Sequence, residues 1–135
     1  MIRTFAIDGQ TIACQVALHE GAPRGRSLVF LHGSSSDHTV WAHQYGPLRG
    51  LYDIAAPDFP GHGASTGEVP EDICGHVPWL KGLLEQLPFE KPVLVGHSMG
   101  AAVTLAFALS CGERLSGIVL AGGGAKMPVN PAILT

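Results

Sequence analysis

The strongest constraint on this chain is one pentapeptide, Gly96-His97-Ser98-Met99-Gly100, between an apolar run and an alanine-rich stretch. The run over 92–95 predicts a strand, and the stretch over 101–109 predicts a helix that follows at once. Glycine is expected on both sides of the serine, because a larger side chain there would collide with the neighbouring strand or helix. The Ser98 hydroxyl is therefore predicted to project from the edge of a sheet.

A hydroxyl presented in this way is a candidate nucleophile. The turn also puts the Met99 backbone N–H at the start of a helix, where the helix dipole favours an oxyanion. His97 stands beside the serine, and its side chain is expected to point away from Ser98 in a structural or pocket-lining role. A turn without chemistry is the alternative interpretation, since such pentapeptides also occur by chance.

Two further turns follow predicted strands. The continuous apolar run over 27–31 is typical of a buried parallel strand, and it ends in His32-Gly33-Ser34-Ser35-Ser36. Gly33 allows a sharp turn at the carboxyl end of that strand, where α/β sheets bind their ligands. A strand over 52–56 leads into the turn-rich segment 57–65.

In this order and spacing, the turn at 31–33, the segment 58–65 and the pentapeptide 96–100 resemble the α/β-hydrolase fold enzymes. The resemblance spans about residues 27–125. It implies a nucleophile at Ser98. The implied oxyanion hole consists of the backbone N–H groups of Ser34 and Met99. The surrounding turns would be the oxyanion turn, His32 and Gly33, and the nucleophile elbow, Gly96, His97 and Gly100. Dehalogenases and epoxide hydrolases of this fold, which use aspartate as nucleophile, are disfavoured by the serine.

The resemblance also implies a triad acid and a histidine later in the chain, in the order nucleophile, acid, histidine. The chain stops at Thr135, soon after a sixth predicted strand over 116–121. We therefore expect a single partial domain over 1–135, the N-terminal half of a hydrolase. It would lack the triad acid and histidine and would have very little activity alone.

Strands that alternate with helices predict an α/β fold, a mostly parallel sheet of about six strands with helices on both faces. The runs 4–7 and 11–16 flank Asp8-Gly9 and predict an antiparallel hairpin at one edge. In the family's sheet order the sixth strand would have an unpaired apolar edge. Such an edge favours association with a partner.

The helices are expected at about 40–48, at 73–87 and at 99–110. Asp37 is the expected cap of the first, with Gly50 placed to end it. Pro78 predicts that the second starts near Val77 or is kinked there. The segment 20–26 is expected to be a loop, and 122–124 with the tail 126–135 is expected to lead towards a lid.

Composition excludes several classes of protein. The net charge is −3 and no lysine or arginine cluster is present, which argues against a nucleic-acid partner. The apolar stretch 101–109 is too short to cross a bilayer, so no membrane partner is expected. Three widely spaced cysteines, Cys14, Cys74 and Cys111, indicate reduced thiols in a cytoplasmic protein.

The histidines are not well placed to be the triad base. Structural roles are favoured for His32 and His62, and Asp58 is expected to stabilise its loop. His38 and His43 have no partners at zinc-like spacing, so no metal is expected. No cofactor is expected either, since the serines at 34–36 lack the lysine of a phosphate loop. Were this chain to turn over an ester by itself, His62 would be the first candidate base.

The sequence thus predicts a carboxylesterase-like serine hydrolase whose partner is a small-molecule acyl substrate. Two alternatives stay open. One is an acyltransferase or a carbon–carbon bond hydrolase on the same fold, and the other is a non-catalytic module that binds a small molecule.

Overall fold

One sheet organises the chain in a computed structural model that describes residues 1–18, 26–48 and 50–122. Its six strands are β1 (Ile2–Ile7), β2 (Gln10–Ala17), β3 (Ser27–Leu31), β4 (Asp53–Pro57), β5 (Val93–His97) and β6 (Gly117–Ala121). Their order is β1-β2-β4-β3-β5-β6. β2 is antiparallel to β1 and β4, whereas β3 is parallel to β4 and β5, and β5 to β6. The predicted sheet of about six strands, mostly parallel with an N-terminal antiparallel hairpin, is confirmed.

The helices are α1 (Ala42–Leu48), α2 (Val77–Gln86) and α3 (Met99–Cys111). Short 3-10 turns precede α1 and α2, at His38–Trp41 and Ile73–His76, and another follows α3 at Gly112–Arg114. Asp37 accepts the Thr39 N–H at 2.9 Å, so it caps the 3-10 turn, which begins before the helix expected at 40. Pro78 lies in the first turn of α2, where no intrahelical N–H bond is lost. The predicted start near Val77 is confirmed.

The hairpin between β1 and β2 turns at two residues with positive φ, Asp8 at 49° and Gly9 at 80°. A two-residue turn with both φ values positive matches the twist of the strands on either side. The Asp-Gly pair therefore fixes the register in which Ile7 faces Gln10.

The sheet buries a separate apolar cluster on each face. Val29 and Leu31 of β3 pack in a cluster with α2 and α3 that includes Leu83 and Phe107. The intervening residue Phe30 packs in a second cluster, with Trp41, Ile54 and Tyr45 of α1 among its members. Because neighbouring strand residues point to opposite faces, this division confirms helices on both sides.

β6 forms one edge of the described sheet, and it carries exposed apolar residues. Ile118 and Val119 are 37% and 49% exposed. Association through this edge stays a prediction. The loop expected at 20–26 falls mostly on residues outside the described ones, as do 123–124 and the whole tail 126–135. In the described ranges, no helix combines the length and apolar character that a membrane crossing needs.

Candidate active site

Ser98 occupies the corner between β5 and α3 in a backbone conformation that residues with a side chain rarely adopt. Its φ is 56° and its ψ is −115°. The Ser98 N–H donates to the Ala121 carbonyl of β6 at 3.3 Å, and its own carbonyl accepts the N–H groups of Ala101 and Ala102 at 2.9 and 3.2 Å. Such strained conformations persist only where the surroundings hold them, and they are common at functional sites.

The glycines on either side of Ser98 lie where no side chain fits. A Cβ on Gly96 would collide with the backbone carbonyl of Gly100 and with the hydroxyl of Thr104. A Cβ on Gly100 would collide with the carbonyl groups of Leu31 and His32. β5, α3 and the end of β3 therefore approach each other backbone to backbone around the serine.

The turn after β3 lies against this corner. A Cβ on Gly33 would sit 3.3 Å from the Ser98 Cβ and 3.6 Å from the His97 carbonyl oxygen. The structure shows no hydrogen bond from the Ser34 or the Met99 backbone N–H to any of the described residues. Backbone donors left unused in the turns that meet at Ser98 are the kind of group from which an oxyanion hole is built, and that role stays a prediction.

His32 orients the turn that carries Ser34. The ring is fully buried, its Nδ1 lies 2.7 Å from the Gly33 carbonyl oxygen, and its Nε2 accepts the Phe59 N–H at 3.1 Å. A carbonyl only accepts and an amide N–H only donates, so Nδ1 carries the proton of a neutral ring. Burial lowers the pKa of His32, which keeps this neutral form. The structural role expected for His32 agrees with these contacts.

Asp58 anchors the segment 58–65, which we call the 58–65 loop. The carboxylate is buried, and Oδ1 accepts both the backbone N–H and the ring Nδ1–H of His38 at 2.8 Å. Oδ2 accepts the Ala64 N–H at 3.0 Å, and Gly63 leaves room for the carboxylate. Oδ2 thus bonds within the 58–65 loop and Oδ1 bonds to His38 outside it. These bonds agree with the stabilising role expected for Asp58.

Asp37, His38 and Asp58 each place a potential metal-ligating atom within 4.8 Å of the others. No ligand spacing in the sequence indicated this group, because Asp58 is far from the other two along the chain. The Asp58 Oδ1 already accepts two bonds from His38, and the Asp37 Oδ1 accepts from both the N–H and the hydroxyl of Thr39. We assign the group to loop anchoring, and the absence of a metal stays a prediction.

His62 and His76 are both committed to partners within the fold. The His62 Nε2 accepts the Ser35 N–H at 3.2 Å, and its Nδ1 lies 3.1 Å from the Pro60 carbonyl oxygen. With both nitrogens engaged, His62 has none left for a proton from Ser98, so it is a poor candidate for the base. The His76 Nδ1 accepts the indole N–H of Trp79 at 3.0 Å, and burial lowers its pKa to about 4.

His97 lies next to the proposed nucleophile but is exposed. Its ring meets Trp41 edge-on, with 6.4 Å between the ring centres. The pocket-lining role expected from the sequence stays a prediction.

A sheet of this order, with a strained serine between strand and helix and a second backbone turn against it, defines the α/β-hydrolase class of fold. The chain belongs to the alpha/beta hydrolase family, whose sequence profile matches residues 28–135.

Among curated proteins, it is 39% identical over 110 residues to a 2-hydroxy-6-oxononadienedioate/2-hydroxy-6-oxononatrienedioate hydrolase of Paraburkholderia phymatum. It is 35% identical over 109 residues to a 2-hydroxy-6-oxo-6-phenylhexa-2,4-dienoate hydrolase of Burkholderia cepacia. Each alignment covers 76% of this chain and 38% of the relative. The chain thus spans about two fifths of the length of these relatives.

Solved structures share the fold. Epoxide hydrolase A from Mycobacterium thermoresistibile superposes with a TM-score of 0.76 at 29% identity, covering 89% of this chain and 38% of that one. A bacterial membrane phospholipase A superposes with a TM-score of 0.85 at 23% identity, covering 96% and 42%. At 23% identity, the similarity to the phospholipase shows a shared fold and nothing more.

Proposed function

We propose that Ser98 is the nucleophile of a serine hydrolase that transfers an acyl group to water. The observation that carries the proposal is the Ser98 backbone, held at positive φ at the start of α3 between two glycines that no other residue can replace without a collision. A corner of this kind presents a hydroxyl and a helix N-terminus to the same acyl carbonyl group, the hydroxyl to its carbon and the N–H groups to its oxygen.

In the proposed reaction the Ser98 hydroxyl oxygen attacks the acyl carbonyl carbon as its proton passes to a base. The carbonyl electron pair moves onto oxygen, and the N–H groups of Met99 and Ser34 donate to that oxyanion. Its collapse expels the leaving group, and attack by water then frees the acid and restores the serine. Removing one oxyanion donor typically costs about 10²–10³ in rate, so both N–H groups matter. The triad acid and base are assigned to no described residue.

A carbon–carbon bond hydrolase is the second candidate, and the relatives favour it. Their names describe hydrolases of 6-oxo dienoic acids. The names mention no ester or amide bond in these compounds. Adding water to such a compound must break a carbon–carbon bond beside the ketone, with the dienoate leaving as a stabilised carbanion. The same hydroxyl and the same oxyanion donors serve this reaction, because it too passes through attack on a carbonyl.

The test compares the unaltered chain with Ser98→Ala and with Ser110→Ala, the same change at an exposed serine of α3. Each protein is incubated with an activated aryl acetate, and protein acetylation and aryl release are measured. We expect slow acetylation at Ser98 with little turnover, lost in Ser98→Ala and kept in Ser110→Ala. Equal acetylation of Ser98→Ala would refute the nucleophile. Fast turnover that needs Ser98 would place a working base within this chain.

Product analysis separates the remaining alternatives. An acyl donor is offered with water and a competing alcohol: a dominant ester product indicates an acyltransferase, and free acid indicates a hydrolase. A 6-oxo dienoate is followed by loss of its chromophore. Tight binding of either compound without any product would indicate a binding module instead.

A further inference from the structure

Two histidine rings hold the two peptide units on either side of the Ser34 Cα. The first unit carries the Gly33 carbonyl, which His32 Nδ1–H contacts at 2.7 Å, and the Ser34 N–H. The second carries the Ser35 N–H, which donates to His62 Nε2 at 3.2 Å. Because a trans peptide is planar, holding one of its atoms limits the direction of the whole unit. Together the rings restrict both backbone dihedral angles of Ser34.

Ser35 is in a backbone conformation that is costly for a residue with a side chain. Its φ is 60°, in the left-handed region, which costs a residue with a Cβ about 1 kcal/mol or more. Its partner ring is half-buried and held by packing, with its centre 5.3 Å from that of His32 and 6.2 Å from that of Phe59. The 58–65 loop therefore offers a fixed acceptor to a strained residue far away in the sequence.

The contact requires the neutral form of His62. Its Nδ1 faces the Pro60 carbonyl oxygen and so carries the proton, which leaves the lone pair of Nε2 for the Ser35 N–H. A doubly protonated ring has no acceptor.

Two other titratable rings lie near His62, His32 at the end of β3 and His76 ahead of α2, and Asp58 begins the same loop. Burial lowers the pKa of His32 and of His76. Neither neighbouring ring therefore adds a positive charge near neutral pH.

We propose that His62 is a positioning residue for the oxyanion hole: by accepting the Ser35 N–H it fixes the peptide that follows Ser34, and with His32 on the preceding peptide, which carries the Ser34 N–H, it keeps that donor in place. The inference rests on the proposed function, in which the Ser34 N–H binds the oxyanion. His62 acts through the backbone and needs no contact with substrate.

The matched variants are His62→Gln and His62→Leu. The glutamine amide oxygen reaches about as far as Nε2 and keeps an acceptor, whereas leucine has similar bulk and none. The control is His43→Leu, the same change at an exposed histidine of α1. Unfolding in urea shows whether each variant keeps the fold, and the glutamine variant separates a lost acceptor from a lost ring.

The first measurement does not depend on activity. In the unaltered chain, NMR should detect a scalar coupling between the Ser35 amide nitrogen and His62 Nε2 across the hydrogen bond, and slow exchange of the Ser35 amide proton. Both should vanish in His62→Leu, and slow exchange should return in His62→Gln. A missing coupling at neutral pH would overturn the inference.

The second measurement is the rate at which a fluorophosphonate modifies Ser98, because its phosphoryl oxygen takes the place of the oxyanion. We expect His62→Leu to react about tenfold more slowly than the unaltered chain. This is less than the roughly 10²–10³-fold that complete loss of an oxyanion donor costs, because the donor is displaced and not removed. The other variants should react within about twofold of the unaltered chain. An unaltered rate in His62→Leu would overturn the inference alone. An unaltered chain that does not react at Ser98 would overturn the proposed function, and the role of His62 with it.

Discussion

The corner at Ser98 and the 58–65 loop lie at the same end of the sheet but are held by different forces. The corner is held by close backbone contact, at places where Gly96 and Gly100 leave no room for a side chain. The loop is held by polar side chains, with the Asp58 carboxylate and the rings of His32 and His62 bonded to backbone groups. The corner should therefore respond to added volume, and the loop to lost hydrogen bonds and to pH.

The largest effect is expected from added volume at the corner. In Gly100→Ala the new Cβ meets backbone carbonyls of Leu31 and His32, which cannot move aside as a side chain can. Since overpacking typically costs about 1–3 kcal/mol and more where backbone must shift, we expect a loss of at least about 3 kcal/mol in the free energy of unfolding.

Urea denaturation measures this loss, with Gly46→Ala in α1 as the control. A Cβ there meets no atom within 4 Å, and alanine favours a helix over glycine by about 1 kcal/mol. Equal stability of the two alanine variants would show that the corner is not closely packed.

The next effect is expected from loss of the loop's anchor. Asp58→Ala removes the acceptor of two backbone N–H groups and of the His38 ring, so we expect a loss of about 2–3 kcal/mol. Asp58→Asn keeps one oxygen and should lose about half as much. Thermal unfolding gives the ranking, and a fully stable Asp58→Ala would mean that solvent replaces these bonds without cost.

Acid should loosen the loop and leave the corner unaffected. The ring of His76 packs on Phe59 of the loop, with 5.1 Å between the ring centres. Burial lowers the pKa of His76 to about 4. The unfolded chain takes up this proton near pH 6.5 and the folded one does not, so stability is full above pH 6.5 and falls as the pH drops towards about 4. We expect about 2 kcal/mol to be lost between about pH 7 and pH 5.

Unfolding free energies measured across that range test the pH effect. In His76→Asn the amide oxygen replaces the Nδ1 acceptor for Trp79 but does not titrate, so the slope with pH should become shallower while the fold is kept. His32, whose pKa burial also lowers, contributes a slope of the same sign that remains in the variant. A slope unchanged in His76→Asn would assign the acid sensitivity to other groups.

The smallest effect is expected from Thr104→Val at the corner. The Thr104 hydroxyl donates to the Gly100 carbonyl at 2.8 Å, and valine has nearly the same shape. We expect a loss of about 1 kcal/mol or less, because backbone contact and not this bond holds the corner. A loss as large as that of Asp58→Ala, measured by urea denaturation, would erase the distinction between the two regions.

The elements that the sequence predicted well are local ones. Asp8-Gly9 demands a tight hairpin, Pro78 places the start of α2, and the pentapeptide around Ser98 demands a sharp corner, because each feature limits the backbone dihedral angles of its own residues. The alternation of apolar runs with helices also predicted helices on both faces of the sheet, and the two clusters around β3 confirm it. The strand order β1-β2-β4-β3-β5-β6 came only from the tertiary structure. The oxyanion role of Ser34 and Met99 stays a prediction.

The sequence alone determined the elements, their order along the chain and the residue at the corner, because backbone sterics and apolar periodicity act over a few neighbouring residues. Only the tertiary structure decided the partners of Asp58 and His62. His38 and Ser35 meet them from 20 and 27 residues away, and a hydrogen bond across such a distance depends on how whole strands are placed. A histidine that looks like a spare base in the sequence is thereby bonded to the backbone of the turn that carries Ser34.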